Sequence, residues 1–189
     1  MRKFTHQKIP KGYDDLEAVT TPNGRTYYDP DGNKYPSITT VLSILSRDSI
    51  AEWRKRVGEE EANKVSYRAA TRGTAVHDIV EKYLDNELDT SKYTFDVIQS
   101  WKNLQPILDS RIGMIYEQEC PLYSKHLGVA GRVDCVAEFD GVPSIIDFKT
   151  SRKNKKKEWI TNYFIQESAY AIMWEERTGM PIVNLVTIM

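Results

Sequence analysis

The sequence has little of several features that mark whole classes of protein. Its 189 residues include only two cysteines, Cys120 and Cys135, too few for a disulfide framework, a zinc site or an iron–sulfur cluster. No apolar run approaches the roughly 20 residues that a membrane span needs. The first residues lack an apolar segment and carry acids, so we expect neither a signal nor a transit peptide. We therefore expect an intracellular, cytoplasmic protein without membrane contact, in which Cys135 is a buried free thiol.

An excess of positive charge is also missing. Lys and Arg number 26 against 27 Asp and Glu, for a net charge of −1. Overall charge thus gives no support for nucleic-acid binding, and any such surface must come from local clustering. The length suits one domain over residues 1–189. Within it we expect an arm and a small hairpin over 1–34, a helical region over 35–112 and a strand-rich core over 113–189.

The stretch from Gly131 to Lys149 predicts two strands joined by a tight turn. Asp140-Gly141 is a strong signal for a type I′ turn, which places Asp134 opposite Asp147. Two facing carboxylates about 5 Å apart repel by about 4 kcal/mol at an effective dielectric of 20. A hard divalent cation would turn that repulsion into coordination. Lys149 projects from the same face as Asp147, although Pro143 can force a bulge that shifts the register.

Periodicity and capping signals predict the remaining elements. The expected elements are an extended arm over 1–24, a hairpin over 25–35, helices over 37–45, 48–57, 59–84 (kinked or broken at Gly73), 95–109 and 158–179, and strands over 112–123 and 182–188. The expected core sides are Phe95, Ile98, Trp101, Leu104 and Leu108 on the helix 95–109, and Ile165, Ala169, Ile172 and Met173 on the helix 158–179.

Three further groups of polar residues have both a functional and an ordinary interpretation. His77 and Glu81 share one helix face, either as a solvated pair or as part of a site. Glu117 and Glu119 lie on the strand 112–123, either solvated or close to a site. The loop after Lys149 is cationic and either solvated or in contact with a nucleic-acid backbone; its members are Thr150, Ser151, Arg152, Lys153, Lys155, Lys156 and Lys157.

Four stretches together resemble a known family. Gly131 and Asp134, followed by Asp147 and Lys149, resemble the PD-(D/E)xK nuclease superfamily. Arg72-Gly73-Thr74 with His77, Gln166 with Tyr170, and the segment PSITTVLS at 36–43 are similar to its RecB-type exonuclease branch, in particular to the group that contains mitochondrial genome maintenance exonuclease and its phage relatives. The resemblance implies an α/β fold with a restriction-endonuclease-like αβββαβ core, a mixed central sheet and an N-terminal helical addition.

The same resemblance implies roles for individual residues. Asp134, Asp147, His77 and the backbone carbonyl of Phe148 would hold Mg²⁺ or Mn²⁺, and Lys149 would act on the attacking water or the developing charge. Gln166 and Tyr170 would contact the site or DNA. Glu81 and Glu117 are further candidates.

From these features we expect a metal-dependent DNA exonuclease of replication, recombination or repair that prefers single-stranded ends, acting in a host cytoplasm if phage-encoded. A helical arch would thread one strand, with Tyr27, Tyr28, Trp53 and Tyr67 as stacking surfaces. The alternatives are an inactive DNA-binding subunit that keeps the fold, a structure-specific endonuclease, and a plain structural protein, which would leave the facing carboxylates unexplained.

Overall fold

The structure, a computed structural model, describes residues 2–151 and 155–189. Two of the predicted DNA contacts, Arg152 and Lys153, lie outside the described residues. The strands are β1 (Glu17–Thr21), β2 (Gly24–Tyr28), β3 (Lys34–Pro36), β4 (Ile112–Ser124), β5 (Val129–Phe139), β6 (Val142–Phe148) and β7 (Asn184–Ile188), and the helices are α1 (Ile38–Ser43), α2 (Arg47–Val57), α3 (Glu59–Leu84), α4 (Phe95–Arg111) and α5 (Thr161–Thr178). Short 3₁₀ helices cover Ile44–Ser46, Thr90–Lys92 and Lys157–Trp159. Among the described residues, none of the helices combines the length and apolarity needed to span a bilayer.

A four-stranded mixed sheet with the order β4-β5-β6-β7 forms the centre of the fold. Its first three strands are antiparallel, and β7 runs parallel to β6. The parallel pair needs a crossover, which α5 provides between β6 and β7. One apolar cluster joins a face of the sheet to α3 and α4, and another joins the opposite face to α5. The molecule is therefore a mixed α/β protein with helices on both faces of the sheet.

The β5–β6 hairpin has the predicted turn and register. Asp140 and Gly141 have φ of 53° and 77°, the two positive values that a type I′ turn requires. Phe139 pairs with Val142, and the pairing continues unbroken to Cys135 and Ile146. The next pair in this register is Asp134 and Asp147.

Pro143 does not shift the register of the β5–β6 hairpin. It pairs with Glu138, one step from the pair that closes the turn. Because pairs in an antiparallel ladder alternate between bonded and non-bonded, the amide position of residue 143 points away from β5. On that other side β7 begins only at the partner of Ser144. The missing N–H of the proline therefore removes no ladder hydrogen bond.

The N-terminal residues pack against the rest of the protein instead of forming the extended arm predicted over 1–24. β1 pairs with β2 and turns the predicted hairpin into a three-stranded sheet. Phe4 and Leu16 are buried, and His6 forms a bridge with Ile115 of β4. Single apolar residues thus anchor this segment to the core. Because they do not recur at a regular spacing, hydrophobic periodicity could not predict these contacts.

Helix α3 is continuous through Gly73, where the sequence had suggested a kink or a break. Its C-terminal half is packed in the core, with Val76, Ile79 and Val80 almost fully buried. Its N-terminal half buries only Ala62, and α2 buries none of its residues. The two helical segments, 47–57 and 59–72, lie beside the core. We refer to these two segments below as the arm; it is distinct from the extended arm predicted over 1–24.

Two predicted core faces are partly wrong. On α4, Trp101 and Leu108 are buried as expected, but Phe95 is 81% exposed. On α5, Ala169 and Met173 are buried, whereas Ile165 and Ile172 are 41% and 40% exposed. The buried face of α5 is rotated toward polar residues, with Gln166, Glu167 and Tyr170 all covered. Both cysteines are buried free thiols, as predicted for Cys135.

Candidate functional site

The predicted catalytic side chains meet where β5 and β6 pass between the two helical layers. Asp134 lies at the centre of this group. Its Oδ2 accepts a hydrogen bond of 2.8 Å from the backbone amide of Phe148, which fixes the carboxylate across the strand pair. Its Oδ1 lies 3.6 Å from Nδ1 of His77 on α3. Asp134 therefore connects the α3 side of the sheet to the strand that carries Asp147.

Asp147 is a fully buried carboxylate under electrostatic strain. Burial, followed by the negative charge of Asp134, raises the pKa of Asp147 well above its usual range. Gln166 Nε2 donates a 3.0 Å hydrogen bond to Oδ1. Lys149 Nζ lies 2.6 Å from both oxygens, but only its contact with Oδ1 has hydrogen-bond geometry. Oδ2 is thus a buried acceptor without a hydrogen-bond partner among the described residues, which is costly unless a ligand uses it.

His77 and Glu119 complete the group on the α3 side. Suitable ligand atoms of His77, Glu119 and Asp134 all lie within 4.8 Å of one another. Burial alone would lower the pKa of His77, but the negatively charged Asp134 carboxylate 3.6 Å away outweighs that effect and raises it. Burial, followed by the charges of Asp134 and Glu81, raises the pKa of Glu119 to about 7. The two shifts thus combine burial with the negative charge that gathers around Asp134.

Strand β4 separates the two acids that a regular strand would place on one face. Glu119 has φ of 45°, a rare conformation for a residue other than glycine, and the β4–β5 register shifts between Ile112 and Glu117. Glu119 consequently joins His77 and Asp134. Glu117 lies outside that group, with its carboxylate 3.7 Å from Nζ of Lys11. The sequence named Glu117 as the candidate on this strand, and only the irregular backbone shows that Glu119 is the one beside the site.

Glu81 also faces the site, at a greater remove. It lines an open cavity of about 530 Å³ together with His77, Glu119 and Arg25. Its charge is felt by Glu119. His77 and Glu81, which the sequence places on one helix face, therefore border the same cavity as Glu119. A solvated pair on an isolated helix would not share a cavity with a residue of the sheet.

Lys149 connects the site to the cationic loop through an aromatic ring that the sequence analysis missed. Its Nζ lies 5.2 Å from the ring centroid of Tyr163, and Lys155 Nζ lies 5.0 Å from the same centroid. Lys155 also donates a 2.6 Å hydrogen bond to the Tyr163 hydroxyl. Lys156 lies over the exposed ring of Trp159. Lys157 begins a 3₁₀ turn and is exposed.

Gln166 and Tyr170 contact the site from within the protein. Gln166 is 8% and Tyr170 only 2% exposed, so in this conformation they position other groups rather than present a surface for DNA. A Cβ on Gly131 would lie 2.7 Å from Cε1 of Tyr170 and 2.9 Å from its hydroxyl. No side chain can be added there without displacing the tyrosine, which explains the glycine of the Gly131–Asp134 motif in physical terms.

Glu167 is a second polar group near the site that the sequence analysis missed. It is fully buried, its Oε1 accepts a hydrogen bond from the Thr187 hydroxyl, and its Oε2 has no hydrogen-bond partner among the described residues. Burial raises the pKa of Glu167, against the effects of Thr187 and Lys149. Glu167 is therefore a buried acid within reach of the charge of Lys149.

The donor set fits a hard divalent cation. Carboxylate oxygens are the ligands that Mg²⁺ prefers, and imidazole with carboxylates also suits Mn²⁺. Asp134 supplies an oxygen beside His77 and Glu119, and the buried Oδ2 of Asp147, which lies 2.6 Å from Lys149 Nζ, accepts no hydrogen bond from the described residues. The soft ligands of zinc and iron–sulfur centres are not part of this group, since both cysteines are buried with a raised thiol pKa.

Comparison with known proteins gives one informative likeness. No family model matches the chain. The chain is 26% identical, over 133 residues, to mitochondrial genome maintenance exonuclease 1 of Homo sapiens. The match covers 65% of this chain and 38% of that protein, so the chain spans well under half of the length of the relative. The likeness supports a relation to nucleases.

Proposed function

We propose that this protein is a metal-dependent deoxyribonuclease that hydrolyses phosphodiester bonds from strand ends. The observation that carries the proposal is the convergence of Asp134, Asp147 and Lys149 at one point between the helical layers, with His77 beside them. The element order α4-β4-β5-β6-α5-β7 and the mixed sheet support a restriction-endonuclease-like core. The likeness to a human exonuclease supports the reaction class.

Asp134, Asp147 and His77 would hold Mg²⁺ or Mn²⁺, with Glu119 and the Phe148 carbonyl as further ligands. When bound, such a cation would lower the pKa of an attacking water and polarise a phosphoryl oxygen. The Phe148 amide orients Asp134, and Gln166 fixes Oδ1 of Asp147, while Oδ2 is paired with the ammonium group of Lys149. These contacts hold the ligands in place before the cation arrives, which removes a cost of reorganisation.

Lys149 is the residue that we assign to the chemistry itself. Its ammonium group lies against Asp147, and its side chain is 21% exposed. The side chain lines a cavity together with Thr150 and Ser151, from which a phosphate would approach. A fixed cation in a partly dry site stabilises negative charge that develops on the phosphate far better than a solvated one. Gln166 and Tyr170 hold the carboxylate and the strand beneath it.

The preference for single strands rests on the arm and the cationic loop. The arm runs beside the site without a core of its own. Tyr67 is 74% exposed on it and offers a surface for a base to stack on. Tyr27, one of the predicted stacking residues, is 2% exposed and belongs to the core. Lys155, Lys156 and Lys157 would grip the backbone without regard to sequence.

The deciding experiment compares linear and circular single-stranded DNA of equal sequence, with Mg²⁺, with Mn²⁺ and with EDTA. We expect degradation of the linear strand only, and only with a divalent cation. Cleavage of the circle would indicate an endonuclease. Binding of the linear strand without cleavage under any of these conditions would indicate an inactive DNA-binding subunit.

A further inference from the structure

Beside the catalytic group lies a basic cavity that plays no part in the chemistry described above. Its volume is about 230 Å³, and it opens between the arm and the loop that follows β6. Five residues at helical spacing on α3 form one wall, and Thr150 with Ser151 forms the other; the helix residues are Glu61, Val65, Arg68, Ala69 and Arg72. We call it the arm cavity.

The two arginines of the arm cavity are not used for structural ion pairs. Arg68 and Arg72 lie four apart on α3, and like charges at this spacing destabilise a helix slightly. Within residues 2–151 and 155–189, Arg68 is exposed and has neither an ion pair nor a hydrogen bond. Arg72 donates one hydrogen bond, of 3.2 Å, to the Ser100 hydroxyl. Its Nε is buried with no partner in the described part of the chain.

Acidic groups near the arm cavity do not neutralise these arginines. Glu61 lines the far end of the wall, but no ion pair joins it to Arg68 in the described ranges. The carboxylate of Asp96, which feels the charge of Arg72, is bonded to the Thr94 hydroxyl instead. A buried guanidinium nitrogen without a partner is costly, so the arrangement favours an anion that arrives from outside.

The arm cavity is continuous with the catalytic group. A neighbouring cavity of about 180 Å³ is also lined by Arg72, Thr150 and Ser151, and it reaches Lys149. Arg68, Arg72 and Lys149 therefore form a row of cations that leads away from the site. Guanidinium groups suit phosphate in particular, because their forked donors match two of its oxygens.

We propose that the arm cavity is a phosphate subsite, which holds a phosphate of the DNA strand next to the one that is cleaved. The inference rests on the proposed function, and it names a part of the substrate that the catalytic group does not touch. Val65 and Ala69, which line the same wall as the arginines, offer an apolar surface to the adjoining sugar. The phosphate is either an internal phosphodiester or a terminal monoester, and the two have the same chemistry of recognition.

The test measures binding rather than cleavage. A short fluorescent single-stranded DNA is titrated in EDTA over a range of salt concentrations against the wild type, Arg68→Ala and Arg56→Ala. Arg56 is an exposed arginine of the arm that does not line the cavity. We expect Arg68→Ala to weaken binding at least fivefold and to flatten the salt slope by about 0.7, the value for one phosphate of a single strand. Arg56→Ala should change neither; equal losses in both variants would overturn the proposal.

A second variant excludes misfolding as the cause. Arg68→Glu places an acid four residues before Arg72, an arrangement that stabilises a helix. We expect it to melt no lower than the wild type and yet to bind DNA more weakly than Arg68→Ala. Binding as tight as that of the wild type would mean that the arm cavity holds no phosphate.

Two sets of modified strands identify which phosphate is held. With a single uncharged methylphosphonate moved along the strand, the wild type should lose affinity at one position, where Arg68→Ala loses nothing further. With ends that carry either a phosphate or a hydroxyl, a preference for phosphate that Arg68→Ala abolishes would assign a terminal monoester. No effect of Arg68 in either set would remove the subsite.

These outcomes separate the subsite from the proposed function. Binding that depends on Arg68, without cleavage under any metal condition, would leave the subsite standing and remove the nuclease. Metal-dependent cleavage, with DNA binding unchanged in Arg68→Ala, would support the nuclease and overturn the subsite.

Discussion

Asp147 shows at the scale of a single residue how function opposes stability. A buried carboxylate beside a second one is unfavourable without a cation, and its raised pKa records that cost. Because the native state keeps the proton of Asp147 to a higher pH than the unfolded chain does, the free energy of unfolding contributed by this residue is greatest in acid. It is lost as the pH rises from about 3.8, the ordinary pKa of an aspartate, through the raised pKa of Asp147.

Asp147→Asn should therefore abolish cleavage and flatten the decline of metal-free stability with rising pH. Each unit by which the pKa of Asp147 is raised corresponds to about 1.4 kcal/mol. Thermal melts of the metal-free protein from acid to mildly basic pH measure this. Asp140→Asn is the control: Arg111 lowers the pKa of Asp140, so any stabilisation by this carboxylate is present at neutral and basic pH and is lost only in acid. Its removal should therefore leave the decline of stability from acid toward neutral pH in place. A large drop in the melting temperature of Asp147→Asn at every pH would mean that this carboxylate is structural.

Lys149→Ala should lower the rate of cleavage by about two to three orders of magnitude, the usual effect of removing one donor to a transition state. Metal affinity should survive, because a charged lysine has no lone pair to offer. Single-turnover rates and metal titrations separate the two effects. Lys155→Ala is the matched control: it contacts the same Tyr163 ring but not Asp147. It should weaken DNA binding without changing the rate at saturation, and a normal rate in Lys149→Ala would remove that lysine from the chemistry.

The position of a residue in the candidate site could be predicted from the sequence only where the local chain geometry, such as a turn, determines it. Asp134 and Asp147 were predicted to face each other, since a two-residue turn fixes the register of a hairpin. Glu119 was not separated from Glu117, because a rule of strict alternation cannot anticipate a positive φ in the middle of a strand. Glu167 and Tyr163 carry no spacing signal in the sequence; their roles come from contacts with distant parts of the chain.

At the scale of elements, α5 shows why hydrophobic periodicity predicted the wrong buried face for a helix that packs against the candidate site. The expected core side included Ile165 and Ile172, which are half exposed, whereas Gln166 and Glu167 are buried. The helix faces the carboxylates of the sheet, so hydrogen bonding to Asp147 decides its orientation along with apolar burial. The resemblance of Gln166 and Tyr170 to a nuclease motif predicted that the pair contacts the site or DNA. Both side chains are buried in this structure, and Gln166 donates a hydrogen bond to Asp147.

Gln166→Ala should lower the maximal rate about tenfold to a hundredfold while leaving the affinity for DNA nearly unchanged. The reason is that its hydrogen bond to a charged carboxylate, of about 1.5–3 kcal/mol, orients Asp147 and does not touch the substrate. Steady-state kinetics on a linear single strand give both quantities. Ser168→Ala on the exposed side of the same helix serves as the control. If Gln166→Ala instead weakened DNA binding at an unchanged maximal rate, the residue would belong to the DNA-binding surface.

The molecule as a whole gathers acids that only a cation can stabilise together, so its stability should depend on metal and pH jointly. Ligands must be deprotonated to bind metal, and the pKa of Glu119 is raised from 4.5 to about 7. Mg²⁺ should therefore stabilise the protein little at pH 4.5 and strongly above pH 7. At a concentration a hundredfold above its dissociation constant the gain is about 2.7 kcal/mol, or roughly 5–10 °C in melting temperature for a chain of this size.

Thermal melts with MgCl₂, against NaCl at the same ionic strength, test this joint dependence. Calorimetry in two buffers of different ionisation heat measures the protons released on binding. Glu119→Gln should release fewer protons, since the amide holds no proton to lose, and should shift the onset of stabilisation to lower pH. Equal gains at pH 4.5 and above pH 7 would mean that Mg²⁺ binds elsewhere, because no site made of these acids can bind as well when its ligands are protonated.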